Sequence, residues 1–223
     1  MKLTILGNYG PYPNNDGNLS GYAVEDNDFL MLLDMGSGTL SKFLSKFDIK
    51  KLDAIFISHL HFDHTSDLLP FRYLLDAIGK KITVFTEFSD TEYYKILFNH
   101  PLIECINVSD KETIEYKGRT ISFYRMKHGA PTLGIKIKGE KTFFYTGDTA
   151  YFDELNTIIN DVDIVLADCA QSPDFQGGHM TVEQGINLAK TFKNTKFIFT
   201  HLSPNYEIKE ILPDNAEIAT LCE

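Results

Sequence analysis

The sequence contains no tryptophan, only three cysteines, and only three arginines among its 21 basic residues. Cys105, Cys169 and Cys222 are widely separated and odd in number, and read as reduced core or tail residues of a cytosolic protein, not as a disulfide framework. The scarcity of arginine, with a net charge of −10, argues against a basic stripe gripping a long polynucleotide. No apolar run approaches the roughly 20 residues of a membrane span, and Leu3-Thr4-Ile5-Leu6 reads as a strand with no basic-then-apolar leader before it. Glycine- or proline-rich linkers and low-complexity tracts are also missing. The expectation is one domain over residues 1–223, with a large core and no membrane partner.

What is present is concentrated in six residues, His59-Leu60-His61-Phe62-Asp63-His64. Imidazole nitrogen and carboxylate oxygen suit zinc, iron or manganese. Four donors on one short loop cannot all reach one ion and leave an open coordination position. The alternation therefore divides them, His59 and His61 toward one metal, Asp63 and His64 toward a second. The apolar, β-branched run Asp53–Ser58 predicts a buried strand delivering the loop, and Thr65 or Ser66 is placed to cap the helix that follows.

Three further strand-like segments end in a donor: Ile121–Met126 before His128, Lys141–Thr146 before Asp148, and Thr195–Thr200 before His201. Functional groups collect beyond strand carboxyl ends. A consistent assignment gives His59, His61 and His128 to one ion and Asp63, His64 and His201 to the other. Asp148 bridges them, because a carboxylate has two oxygens to share. Two divalent cations, two carboxylates and a bridging hydroxide leave the centre near +1, which acidifies water and attracts phosphate. His179 precedes the capping-box pair Thr181 and Gln184, in a turn free to face a cleft. It reads as an acid for a leaving group or as a phosphate contact. Asp34 is placed to hydrogen-bond a ligand histidine and Asp168 to orient His179. Asn18, Ser20, Lys127 and Ser172 are loop candidates for a pocket lining, and His100 reads as a turn residue.

Strands are expected near 2–6, 21–25, 29–33, 53–58, 81–86, 103–108, 119–126, 132–138, 141–147, 162–167 and 195–200, with a hairpin turn at Gly139-Glu140. Helices are expected near 38–46, 66–78, 90–98, 151–160 and 181–192. Runs of strands with helices between them imply two sheets packed face to face with helices outside.

The HxHxDH motif at 59–64, His128, Asp148 in Gly147-Asp148-Thr149, and His201 together resemble the metallo-β-lactamase-fold hydrolases over essentially the whole chain. The resemblance implies an α+β fold, a four-layer αββα sandwich with the metal site at one edge. His128 to Gly134 and His179-Met180-Thr181 are most similar to the ribonuclease Z-like branch, which includes tRNA 3′-processing endonucleases and small phosphodiesterases of the PhnP type. By that resemblance His179 is the proton donor, and the catalytic set is His179, Asp63 and Asp148. Only nineteen residues separate His128 from Asp148, too few for the arm with which tRNA-processing members hold their substrate. A flavo-diiron protein would carry glutamate in place of His61, a glyoxalase II-type enzyme a C-terminal helical domain, and a zinc β-lactamase a secretion signal.

The expected activity is hydrolysis of a small or cyclic phosphodiester by a metal-bridging hydroxide, with two zinc ions, or manganese in the same geometry. The alternatives are a tRNA 3′-endonuclease, acting as a homodimer whose partner supplies the grip, and a metal-loaded sensor or scaffold without turnover.

Overall fold

Alternation along the strands builds the core. In the computed structural model, which describes residues 1–222, strand β8 (Arg119–Arg125) turns Ile121 and Phe123 inward and leaves Thr120, Ser122 and Tyr124 half-buried. By contrast, β3 (Phe29–Leu33) and β4 (Ala54–Phe56) are buried along their whole length, as strands covered on both faces must be. The first sheet has β1 (Lys2–Gly7), β2 (Gly21–Asp26), β3, β4, β5 (Ile82–Thr86) and β6 (Ile103–Asn107) in that spatial order. The second runs β13 (Ala216–Ile218), β12 (Lys196–Thr200), β11 (Ile164–Asp168), β10 (Thr142–Tyr145), β9 (Leu133–Lys138), β8 and β7 (Thr113–Tyr116). Both sheets are mixed: β3 to β6 are parallel, as are β10 to β13, while the flanking hairpins are antiparallel.

Between the sheets lies one apolar layer that includes Tyr22, Met31, Phe56, Phe85, Phe123 and Ile135. Helices α1 (Thr39–Lys46), α3 (Leu68–Ile78) and α4 (Glu92–Phe98) cover the outside of the first sheet through Phe43, Phe71 and Leu97. Helices α5 (Leu155–Ile159) and α6 (Val182–Thr191) cover the second through Leu155, Ile186 and Leu188. The result is the expected αββα sandwich. Among the described residues no helix is long and apolar enough to cross a membrane.

Local expectations were met unevenly. The capping box of α6 is present: Thr181 Oγ1 accepts from Gln184 N, and Gln184 Oε1 accepts from Thr181 N at 3.0 Å. Neither Thr65 nor Ser66 caps α3. Asp67 holds the N-cap position with its carboxylate accepting from Leu40 N instead, and Thr65 closes a separate four-residue helix, α2 (Phe62–Thr65). The reason is chemical: the Thr65 hydroxyl is occupied by the His61 carbonyl at 2.8 Å and the Tyr93 hydroxyl at 2.8 Å. The helix expected over 151–160 is regular only over Leu155–Ile159, and strands β7 and β13 had no counterpart in the sequence reading.

Candidate metal centre

The donors sit where strands end. His59 and His61 follow β4, and Asp63 and His64 lie on α2; His128 follows β8, Asp148 follows β10, and His201 follows β12. The fold brings all seven together within three groups of potential ligand atoms, each within 4.8 Å: His59, His61, His128 and Asp148; Asp63, His64, Asp148 and His201; and Asp148, Asp168, His179 and His201. The first two are the sets expected from the sequence, the third was not expected as a ligand set, and Asp148 belongs to all three. In the first, His128 Nε2 lies 3.2 Å from His61 Nδ1 and His59 Nε2 lies 3.5 Å from Asp148 Oδ2. In the second, His64 Nε2 is 3.2 Å from Asp148 Oδ1, and His201 Nε2 is 3.2 Å from Asp63 Oδ2.

The hydrogen bonds behind these side chains fix which ring nitrogen faces inward. Asp34, at the end of β3, accepts from Ser58 N (2.7 Å), Ser58 Oγ (2.8 Å), His64 Nδ1 (2.7 Å) and the Tyr145 hydroxyl (2.7 Å). His64 therefore carries a proton on Nδ1 and turns Nε2 to the centre. Ser58 Oγ donates its hydrogen bond to Asp34, so at 3.0 Å it accepts from His59 Nδ1, and His59 Nε2 also points inward. His128 Nδ1 donates to the Gly178 carbonyl at 2.9 Å, which aims its Nε2 at His61. Such partners on the far nitrogen of an imidazole are what metal-ligating histidines have.

The buried atoms left without a hydrogen-bond partner include His59 Nε2, His64 Nε2 and Asp148 Oδ1. An orphaned buried polar atom is costly, and here three converge on one place. A cation in each of the first two groups would answer all three. Without one, protons carry the charge. Burial pulls His64 and His201 down, but the Asp148 carboxylate leads a larger opposite effect; His64 rises well above its usual range and His201 reaches about 9. His59 goes the other way, pushed down by burial and by His64. Burial would raise Asp148, yet His201, His64 and His59 hold it well below the usual carboxylate range. The donor set fits divalent ions with nitrogen and oxygen ligands.

Room for the rings comes from two glycines. A Cβ on Gly10 would sit 2.0 Å from His201 Nε2, and one on Gly178 would sit 2.6 Å from His128 Nδ1. Only a residue without a side chain lets the backbone pass so close.

His179 lies at the edge of the second group. Its Nδ1 bonds Asp168 Oδ2 at 2.8 Å, and its ring stacks on His201 with centroids 4.8 Å apart. Burial lowers its pKa, but Asp168 more than compensates and the net direction is upward. Asp168 also accepts from Thr149 N at 2.8 Å, which locks the carboxylate behind the imidazole. The expected orienting contact of Asp168 is thus present.

Ser58 and Tyr145 were not singled out in the sequence, although both support Asp34. Their signal was weak, a strand-end serine and one polar-tipped aromatic in an apolar strand. Asn18 and Ser20 have structural roles instead: Asn18 Nδ2 donates to the Leu6 and Gly38 carbonyls, and Ser20 is fully buried. His100 pairs with Asp76 at 3.2 Å and belongs to neither ligand group.

Asp34→Ala should be among the most disruptive changes outside the ligands, since it strands four buried donors at once. The expected cost is roughly 3–5 kcal/mol of stability and about 10–100-fold in metal affinity. Urea unfolding and chelator competition measure both; a variant with wild-type midpoint and affinity would remove Asp34 from this role.

Residues 31–202 match the family model described as "Beta-lactamase superfamily domain". The chain is 28% identical over 227 residues to the probable metallo-hydrolase YhfI of Bacillus subtilis (strain 168), covering 97% of this chain and 93% of that one. The crystal structure of YhfI, described as a metallo-beta-lactamase fold protein, superimposes with a TM-score of 0.90 at 25% identity, covering 98% of this chain and 95% of the other. A ribonuclease Z of Methanopyrus kandleri is 27% identical over 143 residues, 63% of this chain and 51% of that protein. A diphosphatase from the PhnP family shares the fold, with a TM-score of 0.77 at 22% identity over 98% of this chain and 94% of its own.

Proposed function

We propose, on the premise that this chain belongs to the beta-lactamase superfamily and is a metal-dependent hydrolase, that it cleaves a small or cyclic phosphodiester at a centre of two divalent ions. The observation that carries the reading is the pair of four-donor groups sharing Asp148. His59, His61 and His128 would hold one ion, Asp63, His64 and His201 the other, and Asp148 both. Zinc is the ion this nitrogen and oxygen set favours, and manganese suits the same geometry. When bound, the pair would supply an activated water and neutralise the charge that develops on phosphoryl oxygens.

The rest falls to the chain. Asp63 and Asp148 set the charge of the centre, and the histidines leave its outer side to substrate. Asp168 holds the Nδ1 proton of His179, so Nε2 is the nitrogen that gives a proton to the departing alkoxide. The segment between His128 and Asp148 is the β9–β10 hairpin and nothing more, which favours a compact substrate over tRNA.

Metal analysis should find two ions per chain, and the loaded protein should turn over bis(p-nitrophenyl) phosphate but not a thioester. The relationship to ribonuclease Z supports a second reading, 3′-processing of precursor tRNA. Cleavage of a 3′-extended precursor at catalytic enzyme would establish it, whereas no cleavage at stoichiometric enzyme removes it. Two bound ions with no hydrolysis of any diester would leave only a metal-loaded scaffold.

A further inference from the structure

Beside the first ligand group a cavity of about 850 Å³ opens to solvent, with His59 and His128 in its wall. That size is within the roughly 300–1,000 Å³ of small-molecule clefts. Its walls are mostly apolar. Leu60 and Pro131 line it together with two aromatic rings, Phe88 and Tyr93.

The two rings differ in a telling way. Tyr93 is fixed: its hydroxyl meets Thr65 Oγ1, and its ring packs edge-on against Phe62 with centroids 5.0 Å apart. Phe88 is 60% exposed, and its one ring contact is edge-on to Tyr94 at 5.3 Å. A phenyl ring left this open at a cavity mouth, beside a rigid partner, has a face ready for stacking.

Charge decides what kind of group fits. Arg125 lines the same cavity, but it forms a bidentate pair with Glu87, with Nη1 on Glu87 Oε2 at 2.7 Å and Nη2 on Oε1. Asp110 accepts from the Arg125 backbone N at 2.7 Å and adds to the negative charge around it. The guanidinium is already neutralised, and no lysine lines the cavity. The space therefore has no surplus positive charge with which to hold a second phosphate.

We propose that this cavity is the subsite for one ester group of the substrate, and that the group is flat, aromatic and uncharged, an aryl ring or a nucleobase stacked on Phe88. The proposal rests on the phosphodiester reading. It adds that the anionic phosphoryl stays on the metal side, next to His59 and His128, while the neutral half lies across the cavity. A chain of phosphates or a diphosphate would not be held there.

The test is calorimetric binding to the zinc-loaded full chain of three uncleavable phosphonates: phenylphosphonate, methylphosphonate and phosphonoacetate. Phenylphosphonate should bind about tenfold tighter than methylphosphonate, the scale of one stacking contact. In Phe88→Ala, an exposed position that should not disturb folding, the ratio should fall to within about twofold. Equal binding of the phenyl and methyl probes, a preference that survives Phe88→Ala, or tighter binding of phosphonoacetate would each overturn the proposal. None of the probes is hydrolysed, so absence of diester turnover would strike the proposed reaction alone.

Discussion

Asp148→Ala should bind at most one ion per chain and lose diester turnover by about a thousandfold or more. The change removes the one side chain common to both ligand groups. A paired centre contributes several kcal/mol of charge stabilisation to the reaction, and a loss of roughly 4 kcal/mol is about three factors of ten in rate. Single-ligand changes such as His61→Ala, at an exposed position, should be milder because they spare the second group. Mass-spectrometric metal counting beside steady-state kinetics reads both effects. Two tightly held ions and near wild-type turnover in Asp148→Ala would end the shared-ligand assignment.

His179→Ala should behave in the opposite way: two ions retained, rate lost. His179 is absent from the two proposed ligand sets; it falls in the third group, with Asp168, Asp148 and His201, and stacks on the His201 ring. General-acid assistance accounts for about 10²–10⁴-fold. The size of the loss should follow the leaving group. An alkoxide needs a proton to depart, so an alkyl ester should show the full effect. The p-nitrophenolate anion departs unaided, so a nitrophenyl ester should show much less. A loss of equal size on both esters would point to a positional role for His179 instead of proton donation. Asp168→Asn should follow His179→Ala in direction, since Asp168 holds the imidazole by its Nδ1.

Much of this was legible in the sequence, for identifiable reasons. Long strands with strict alternation, such as Arg119–Arg125, announce themselves, and so does a capping box ahead of an apolar helix face. The candidate donors, and their clustering in space, were legible because metal chemistry demands unusual residues at strand ends. What escaped was short or spatial. Strand β13 has three residues and β7 only four, both at sheet edges where burial is partial and alternation has little length in which to register. Helix α2 is four residues drawn from the ligand motif itself, so its composition reflects chemistry and not helical periodicity. The Asp34 cluster joins Ser58, His64 and Tyr145 across gaps of 24 to 111 residues, which no local pattern encodes. The cavity at Phe88 escaped for the same reason, since its walls come from three separate stretches of chain.

Each ligand group takes two donors from the first sheet and its loop and two from the second. Neither half of the sandwich could therefore capture an ion with a full set of side chains. On the proposed assignment, loading would have to wait until the halves have docked, and each ion would then act as a rivet through the seam. At a free metal concentration a thousand times its dissociation constant, one such rivet would add about 4 kcal/mol to the native state. Stripping the metal should accordingly loosen this rim of the molecule first, ahead of the buried strands between the helical layers.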